Sequence, residues 1–329
     1  MFKKSIITLL LLLPVLSFSQ DYQYPDKKIR TIAFGSCNSH QRDQNIWGSI
    51  LEHNPDLWVW LGDNIYADTE NMQVMKKKYD AQKNHPQYQE FINQCMITGT
   101  WDDHDYGKND AGKEYPEKEA SQQLFLDFIG ISEDSPQRDR EGVYTSYLFG
   151  DGKDQIKLII LDTRYFRDPL KRENNGYVPT EGTMLGKNQW KWLEEELENS
   201  NAPIHVIASS IQAIPSEHPY EKWENFPKER QKLMDLLSKH QNKHTIILIG
   251  DRHKGEISAM EIDGNIIYEV TSSSLTHSLN KPSDEPNQFR KGKIIVDENF
   301  GLIQIDDKGE INLSLINEEN QEVERLTLP

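Results

Sequence analysis

Cysteine is nearly absent: 329 residues contain only Cys37 and Cys95. At most one disulfide can form, and a chain this long does not need one to fold. Two readings stay open, a Cys37–Cys95 bridge, or a Cys37 metal thiolate with Cys95 as a buried small hydrophobe. Positive charge is short as well. With 37 Lys and Arg against 53 Asp and Glu, the formal net charge is −16. That balance argues against holding nucleic acid or anionic lipid through a broad basic surface. If the substrate is anionic, something local must reverse the field, and bound cations are the strongest local charges available. No internal repeat, low-complexity tract or Ser/Gly linker divides the chain.

Long hydrophobic runs are scarce too. One, Ile6–Leu16, follows Lys3 and Lys4 and precedes Ser17-Phe18-Ser19, with small residues where a signal peptidase reads. It is too short to span a bilayer comfortably, and no cysteine follows it to carry a lipid. Residues 1–19 therefore read as a signal peptide and 20–329 as one catalytic domain, which places the mature protein in the periplasm or the medium.

Aromatics are plentiful, with 7 Trp, 13 Tyr and 11 Phe to fill a core. Apolar runs at Ile29–Gly35, Leu57–Gly62, Ile156–Asp162, Ile204–Ser209 and Thr245–Gly250 read as buried strands. Between them, Gln44–Glu52, Met72–Cys95, Glu117–Gly130, Asn188–Asn199 and Lys228–His240 carry apolar residues at three- and four-residue spacing, as helices do. The alternation predicts an α/β fold with covered sheets. From Glu256 onward, short strands and tight turns, including Asp263-Gly264 and a hairpin over Leu302–Leu315, predict an antiparallel edge or second sheet. The polar stretches Lys108–Glu119 and Asp168–Thr183 read as long surface loops.

Several apolar runs end alike: a small residue or tight turn, then metal-competent side chains. Gly35-Ser36-Cys37, Gly62-Asp63-Asn64-Ile65-Tyr66, the Trp101–Asp110 segment, Asp162–Asp168 and Gly250-Asp251-Arg252-His253 are such bursts. One Gly-Asp at a strand end is an ordinary Asx turn or helix cap. Five of them favour a shared site, because ligands in open α/β sheets collect beyond the carboxyl ends of strands. Asp251 and His253, two apart, can face one ion if the backbone is extended. Carboxylates and amides suit Ca²⁺, Mg²⁺ or Mn²⁺, and thiolate, imidazole and phenolate suit iron or zinc, so two kinds of ion are expected. A water held between them is acidified and can attack phosphorus in line.

In chain order, the motifs GSC, GDNIY, WDDHDYGKND, LDTRYFRDP, LGKNQWKWL, WENFPKER and GDRH resemble the PhoD-like alkaline phosphatases, a branch of the calcineurin-like metallophosphatases. The resemblance runs from about Ile32 to about Ser274. It implies a four-layer α/β/β/α sandwich with two mixed β-sheets, and hydrolysis of phosphate mono- or diesters with Fe³⁺ and one or two Ca²⁺. It implies Cys37, Asp63, Tyr66, Asp251 and His253 around iron, with Asp63 bridging to calcium and Asn109 on calcium. Glu224 stands where the family usually has a calcium-binding Asp, one methylene longer. The family's larger members carry an N-terminal β-sandwich domain, and the resemblance here is to a short form without it.

Arg164 is a candidate phosphate grip or a structural ion pair. Asp103 and His104 are candidates for orienting ligands or protonating the leaving oxygen. His277 either edges the site or belongs to a turn. The alternatives are a Zn²⁺ or Mn²⁺ phosphodiesterase without Cys37 ligation, and a non-catalytic secreted module that binds Ca²⁺. The expected partner is a small phosphate ester, with no stable nucleic-acid binding, no transmembrane segment and a monomeric chain.

Overall fold

The structure is a computed structural model that describes residues 21–24, 26–174, 176–239, 244–278 and 285–329; the expected signal peptide lies outside the described residues. The strands, in chain order, are β1 Asp21–Tyr24, β2 Thr31–Gly35, β3 Leu57–Leu61, β4 Met96–Thr100, β5 Thr145–Phe149, β6 Ile156–Ile160, β7 Lys171–Glu173 and β8 Gly176–Val178. They continue with β9 Ile204–Ser209, β10 His244–Ile249, β11 Gly255–Ile262, β12 Asn265–Ser272, β13 Arg290–Ile295, β14 Asn299–Ile305, β15 Ile311–Asn317 and β16 Glu322–Thr327. The α-helices are α1 Ile46–Glu52, α2 Met72–Lys83, α3 Pro86–Ile92, α4 Asp103–Tyr106, α5 Lys118–Phe128, α6 Gly186–Glu198 and α7 Pro227–Ser238.

Two mixed sheets stack face to face. One runs β16-β15-β14-β2-β3-β4, the other β1-β5-β6-β9-β10-β12-β11-β13. Each has a parallel block, β2-β3-β4 in the first and β6-β9-β10-β12 in the second. Parallel neighbours need crossover connections, and helices supply most of them: α1 between β2 and β3, α2 and α3 between β3 and β4, α6 and α7 around β9, while β10 reaches β12 through β11. Strand β3 shows why the layers form. Its alternate residues Trp58 and Trp60 pack with Trp47, Phe91 and Phe125 on the helix side, while Leu57, Val59 and Leu61 join Leu158, Val206 and Leu248 between the sheets. A third cluster, with Ile159, Trp190, Leu193, Leu237 and Ile247, lies between the second sheet and α6 and α7. The resulting order is helix, sheet, sheet, helix, as the resemblance implied. Trp47, Trp58 and Trp60 meet edge-on at 5.1 to 5.3 Å, so truncating one should cost about 3–5 kcal/mol.

The structure departs from the sequence reading in several places. The helix expected over Met72–Cys95 is two helices, because Pro86 starts α3 and holds His85 extended at φ −62°, ψ 126°. Strands β1, β4 and β5 were not anticipated. The expected loop Asp168–Thr183 contains the β7–β8 hairpin. Cys37 and Cys95 are both free and buried, so there is no disulfide. Cys95 packs in the helix-side cluster of the first sheet, away from the strand end that carries Cys37. Among the described residues, no helix is long and apolar enough to cross a membrane.

Candidate metal centre

The carboxyl ends of β2, β3, β4 and β10 meet because two glycines let their turns touch. A Cβ on Gly62 would stand 2.3 Å from Asp102 Cβ, and one on Gly250 would stand 2.5 Å from the Leu61 carbonyl oxygen. The backbone beyond them is strained. Cys37, Asp63, Asp68, Asp110, Asp251 and His253 all have positive φ, between 44° and 67°. That conformation costs most side chains about 1–2 kcal/mol and persists where the surroundings impose it, commonly at functional sites. It also corrects one expectation. Asp251 and His253 converge through a left-handed turn, not through an extended strand.

Four donors point together. Cys37 Sγ and Tyr66 Oη lie 3.5 and 3.4 Å from Asp63 Oδ2, and Tyr66 Oη lies 3.3 Å from His253 Nε2. Burial pushes the Cys37 thiol, the Asp63 carboxyl and the Tyr66 phenol well up; Asp63 adds to the effect on Cys37, Cys37 and Asp63 add to that on Tyr66, and for Asp63 the opposing pull of His104 is joined by repulsion from Asp103, Asp105 and Asp251. Asp251 rises to about 7, chiefly through burial, with Asp103 and Glu221 adding to it. Burial and the nearby His104 bring His253 down to about 4, so its imidazole is neutral at physiological pH. His277 edges this group, its ring centroid 4.6 Å from that of His253 and 5.0 Å from that of Tyr66.

Asp105 braces the loops. Its Oδ1 accepts from the backbone N–H of Asp102 at 2.7 Å and of Asp63 at 3.1 Å, and its Oδ2 accepts from Asn64 Nδ2 at 2.6 Å. Burial alone would lower His104, but Asp63, Asp68 and Asp103 carry it up to about 11, and Asp68 holds its Nδ1 at 2.8 Å. Asp103 stays below the usual carboxylate range despite burial, through Arg164, His104 and a hydrogen bond from Asp110 N–H.

A cleft of about 320 Å³ opens onto this cluster, lined by Asp63, Asp103, His104, Asn109, Asp251 and His253 among others. Cys37 and Tyr66 lie against two of the lining residues, Cys37 on Asp63 and Tyr66 on Asp63 and His253. Two expected residues do not reach the cleft. Arg164 is fully buried, its Nε donating to Asp102 Oδ1 at 2.6 Å and its Nη1 lying 2.7 Å from Glu221 Oε2. Here Arg164 is engaged by Asp102 and Glu221, the arrangement the structural ion-pair reading expects. Glu224 points outward, 33% exposed and 3.2 Å from Arg230, because the short 3₁₀ turn Trp223–Asn225 aims it away. The carboxylate this segment presents is Glu221, which sequence reasoning missed; Asp110 closes the Trp101–Asp110 burst but was not singled out as a ligand. Asn109 lines the cleft but is exposed, its amide donating to Asp110 Oδ2 at 2.6 Å.

The donors suit cations. Cys37/Asp63/His253, Asp63/Asp103/His104, Asp102/Asp103/Asp251 and Asp103/Asp110/Glu221 each place ligand atoms within 4.8 Å of one another. Asp63 Oδ1 is buried without a hydrogen-bond partner among the described residues. Groups packed this tightly resist ionising together unless a positive ion offsets the repulsion. The metal-competent set thus fits bound metal, with softer donors at the Cys37 end and oxygen donors at the Asp110 end.

A family model described as PhoD-like phosphatase matches residues 70–323. Alkaline phosphatase D of Bacillus subtilis (strain 168) is 25% identical over 293 residues, covering 74% of this chain and 48% of that protein. The chain thus spans about half the length of the curated relative it matches. A structure of PhoD superposes with a TM-score of 0.72 at 19% identity, over 91% of this chain and 68% of the other. A purple acid phosphatase, PPD1, isolated from yellow lupin (Lupinus luteus) seeds superposes with a TM-score of 0.65 at 13% identity, over 92% and 54%. Both structural likenesses are of fold.

Proposed function

Since the chain belongs to the PhoD-like phosphatase family, we propose that it is a metal-dependent phosphoric ester hydrolase acting in the cleft over Asp63 and Asp251. The observation that carries this reading is the convergence of Cys37, Asp63, Tyr66 and His253 beside the cleft, with one Asp63 oxygen left unpartnered among the described residues. Bound cations would draw in the anionic phosphate and acidify a water for in-line attack. Thiolate, phenolate, imidazole and the Asp251 carboxylate favour Fe³⁺ at the Cys37 end; Asp63, Asn109, Asp110 and Glu221 favour Ca²⁺ beyond it. Asp103 and Asp105 hold the loops in register. Asp68 clamps His104 Nδ1 at the cleft wall, which positions the imidazole to give a proton to the departing alkoxide.

The substrate is a small phosphate mono- or diester, the residues from 20 onward form one catalytic domain, and the protein works as an exported monomer after loss of residues 1–19. Asp251→Asn should lower turnover of p-nitrophenyl phosphate or bis(p-nitrophenyl) phosphate by several orders of magnitude while the circular dichroism spectrum stays unchanged. Unaltered turnover would remove Asp251 from the site, and a wild type that turns over neither ester would reduce the protein to a metal-binding module. A Tyr66 phenolate on Fe³⁺ gives a visible charge-transfer band; a colourless, iron-free and fully active preparation would replace iron with zinc or manganese.

A further inference from the structure

The β7–β8 hairpin stands apart from both sheets, pairing only with itself among the described residues. Its inner strand is fastened to the site. Tyr177 donates its hydroxyl to Asp110 Oδ2 and its backbone N–H to the Pro219 carbonyl at 3.2 Å, and Gly176 packs so close to Pro219 that a Cβ there would stand 3.2 Å from it. Strand alternation then fixes what the outer strand presents. Lys171 and Glu173 share one face and pair with each other at 2.6 Å, which leaves Arg172 on the other face, opposite Tyr177 in register. The Arg172 guanidinium lies over the Tyr177 ring at 5.6 Å and lines the cleft.

The other cations of the cleft are held. Glu285 grips Arg252 at 2.7 and 2.9 Å, and Asp68 holds His104 at 2.8 Å. Among the described residues, no carboxylate pairs with Arg172. Tyr177, Pro219 and Tyr220 line the cleft beside it, and Tyr220 is 51% exposed. This side of the cleft offers room for the body of an ester while the metal cluster holds its phosphate.

Resting on the phosphoesterase reading, we infer that Arg172 is a specificity-determining residue that receives a second anionic group carried by the substrate's leaving alcohol, such as a carboxylate or a further phosphate. A guanidinium offers two parallel N–H donors to such a group, and the clamped hairpin holds it at a fixed distance from the reacting phosphate. Esters with an uncharged alcohol gain nothing from it.

Non-hydrolysable phosphonates test this without relying on turnover. By calorimetry, metal-loaded wild-type protein should bind 4-carboxyphenylphosphonate about fivefold more tightly than phenylphosphonate, the upper end of what an exposed ion pair gives. Arg172→Gln should erase that preference by weakening 4-carboxyphenylphosphonate more than phenylphosphonate, and Arg172→Lys should keep part of it. A wild type that binds neither compound or both equally, or a preference that survives in Arg172→Gln, would overturn the assignment. Failure of the underlying function looks different: wild type would hydrolyse neither p-nitrophenyl phosphate nor bis(p-nitrophenyl) phosphate, whatever the binding ratio.

Discussion

At the scale of single residues, chemistry was easier to read than direction. Cys37, Asp63, Tyr66, Asp251 and His253 stood out as donors after strand ends, and the structure gathers them at one place. Arg164 and Glu224 looked equally suitable, but one is buried between carboxylates and the other is turned outward. Spacing along the chain does not say which way a 3₁₀ turn aims its side chains, which is why Glu221 escaped notice three positions earlier. The two cysteines separate the same way, and metal analysis distinguishes them. Cys37→Ala should lose bound metal, whereas Cys95→Ala should keep it and cost only about 1 kcal/mol of stability. Equal metal content in both variants would remove Cys37 from the site.

Glu269 gives a residue-scale prediction about pH. It is buried on β12, with Oε2 accepting from the N–H groups of Ala213 and Ile214 at 2.9 and 2.7 Å, and burial pushes its carboxyl from 4.5 up to about 8. The native state keeps a proton that the unfolded chain releases, so its contribution to stability is whole below pH 4.5 and is lost as pH rises through about 8. Glu269→Gln keeps the acceptor and removes the charge. Denaturant titration should show it more stable than wild type by a few kcal/mol at pH 9 and little changed at pH 4. An equal shift at both pH values would contradict the assignment.

Among elements, the long apolar runs and amphipathic helices were legible because burial imposes their period. What escaped was short or held by distant partners: β4 is five residues with a glycine and two threonines, and β7–β8 depends on Asp110 and Pro219. Two of the recognised motifs turn out to carry architecture. In WENFPKER, Glu229 accepts from Thr183 Oγ1, Met184 N–H and Trp190 Nε1 at 2.8, 2.8 and 2.6 Å, fixing the start of α6. In LGKNQWKWL, Gln189 brackets Asp162, accepting from its N–H and donating to its carbonyl, both at 2.8 Å. Glu229→Ala should therefore cost about 2–4 kcal/mol by chemical denaturation, with metal content per folded chain unchanged. A variant of wild-type stability would show those three bonds to be dispensable.

For the molecule as a whole, the acidity that argued against an anionic partner takes on a different meaning. Part of the −16 charge is concentrated at the ends of strands in both sheets, in a cleft where Asp63, Asp103, Asp110, Glu221 and Asp251 crowd together. Without cations that cleft repels phosphate; with them it attracts it. The sheets, held by one core between them, keep the donor groups in place. The most direct measurement follows p-nitrophenyl phosphate turnover while metal is returned to chelated wild-type protein. The account predicts no turnover in the metal-free chain and a rise that levels off as the site fills. Full turnover without metal, or none from the fully loaded protein, would contradict it.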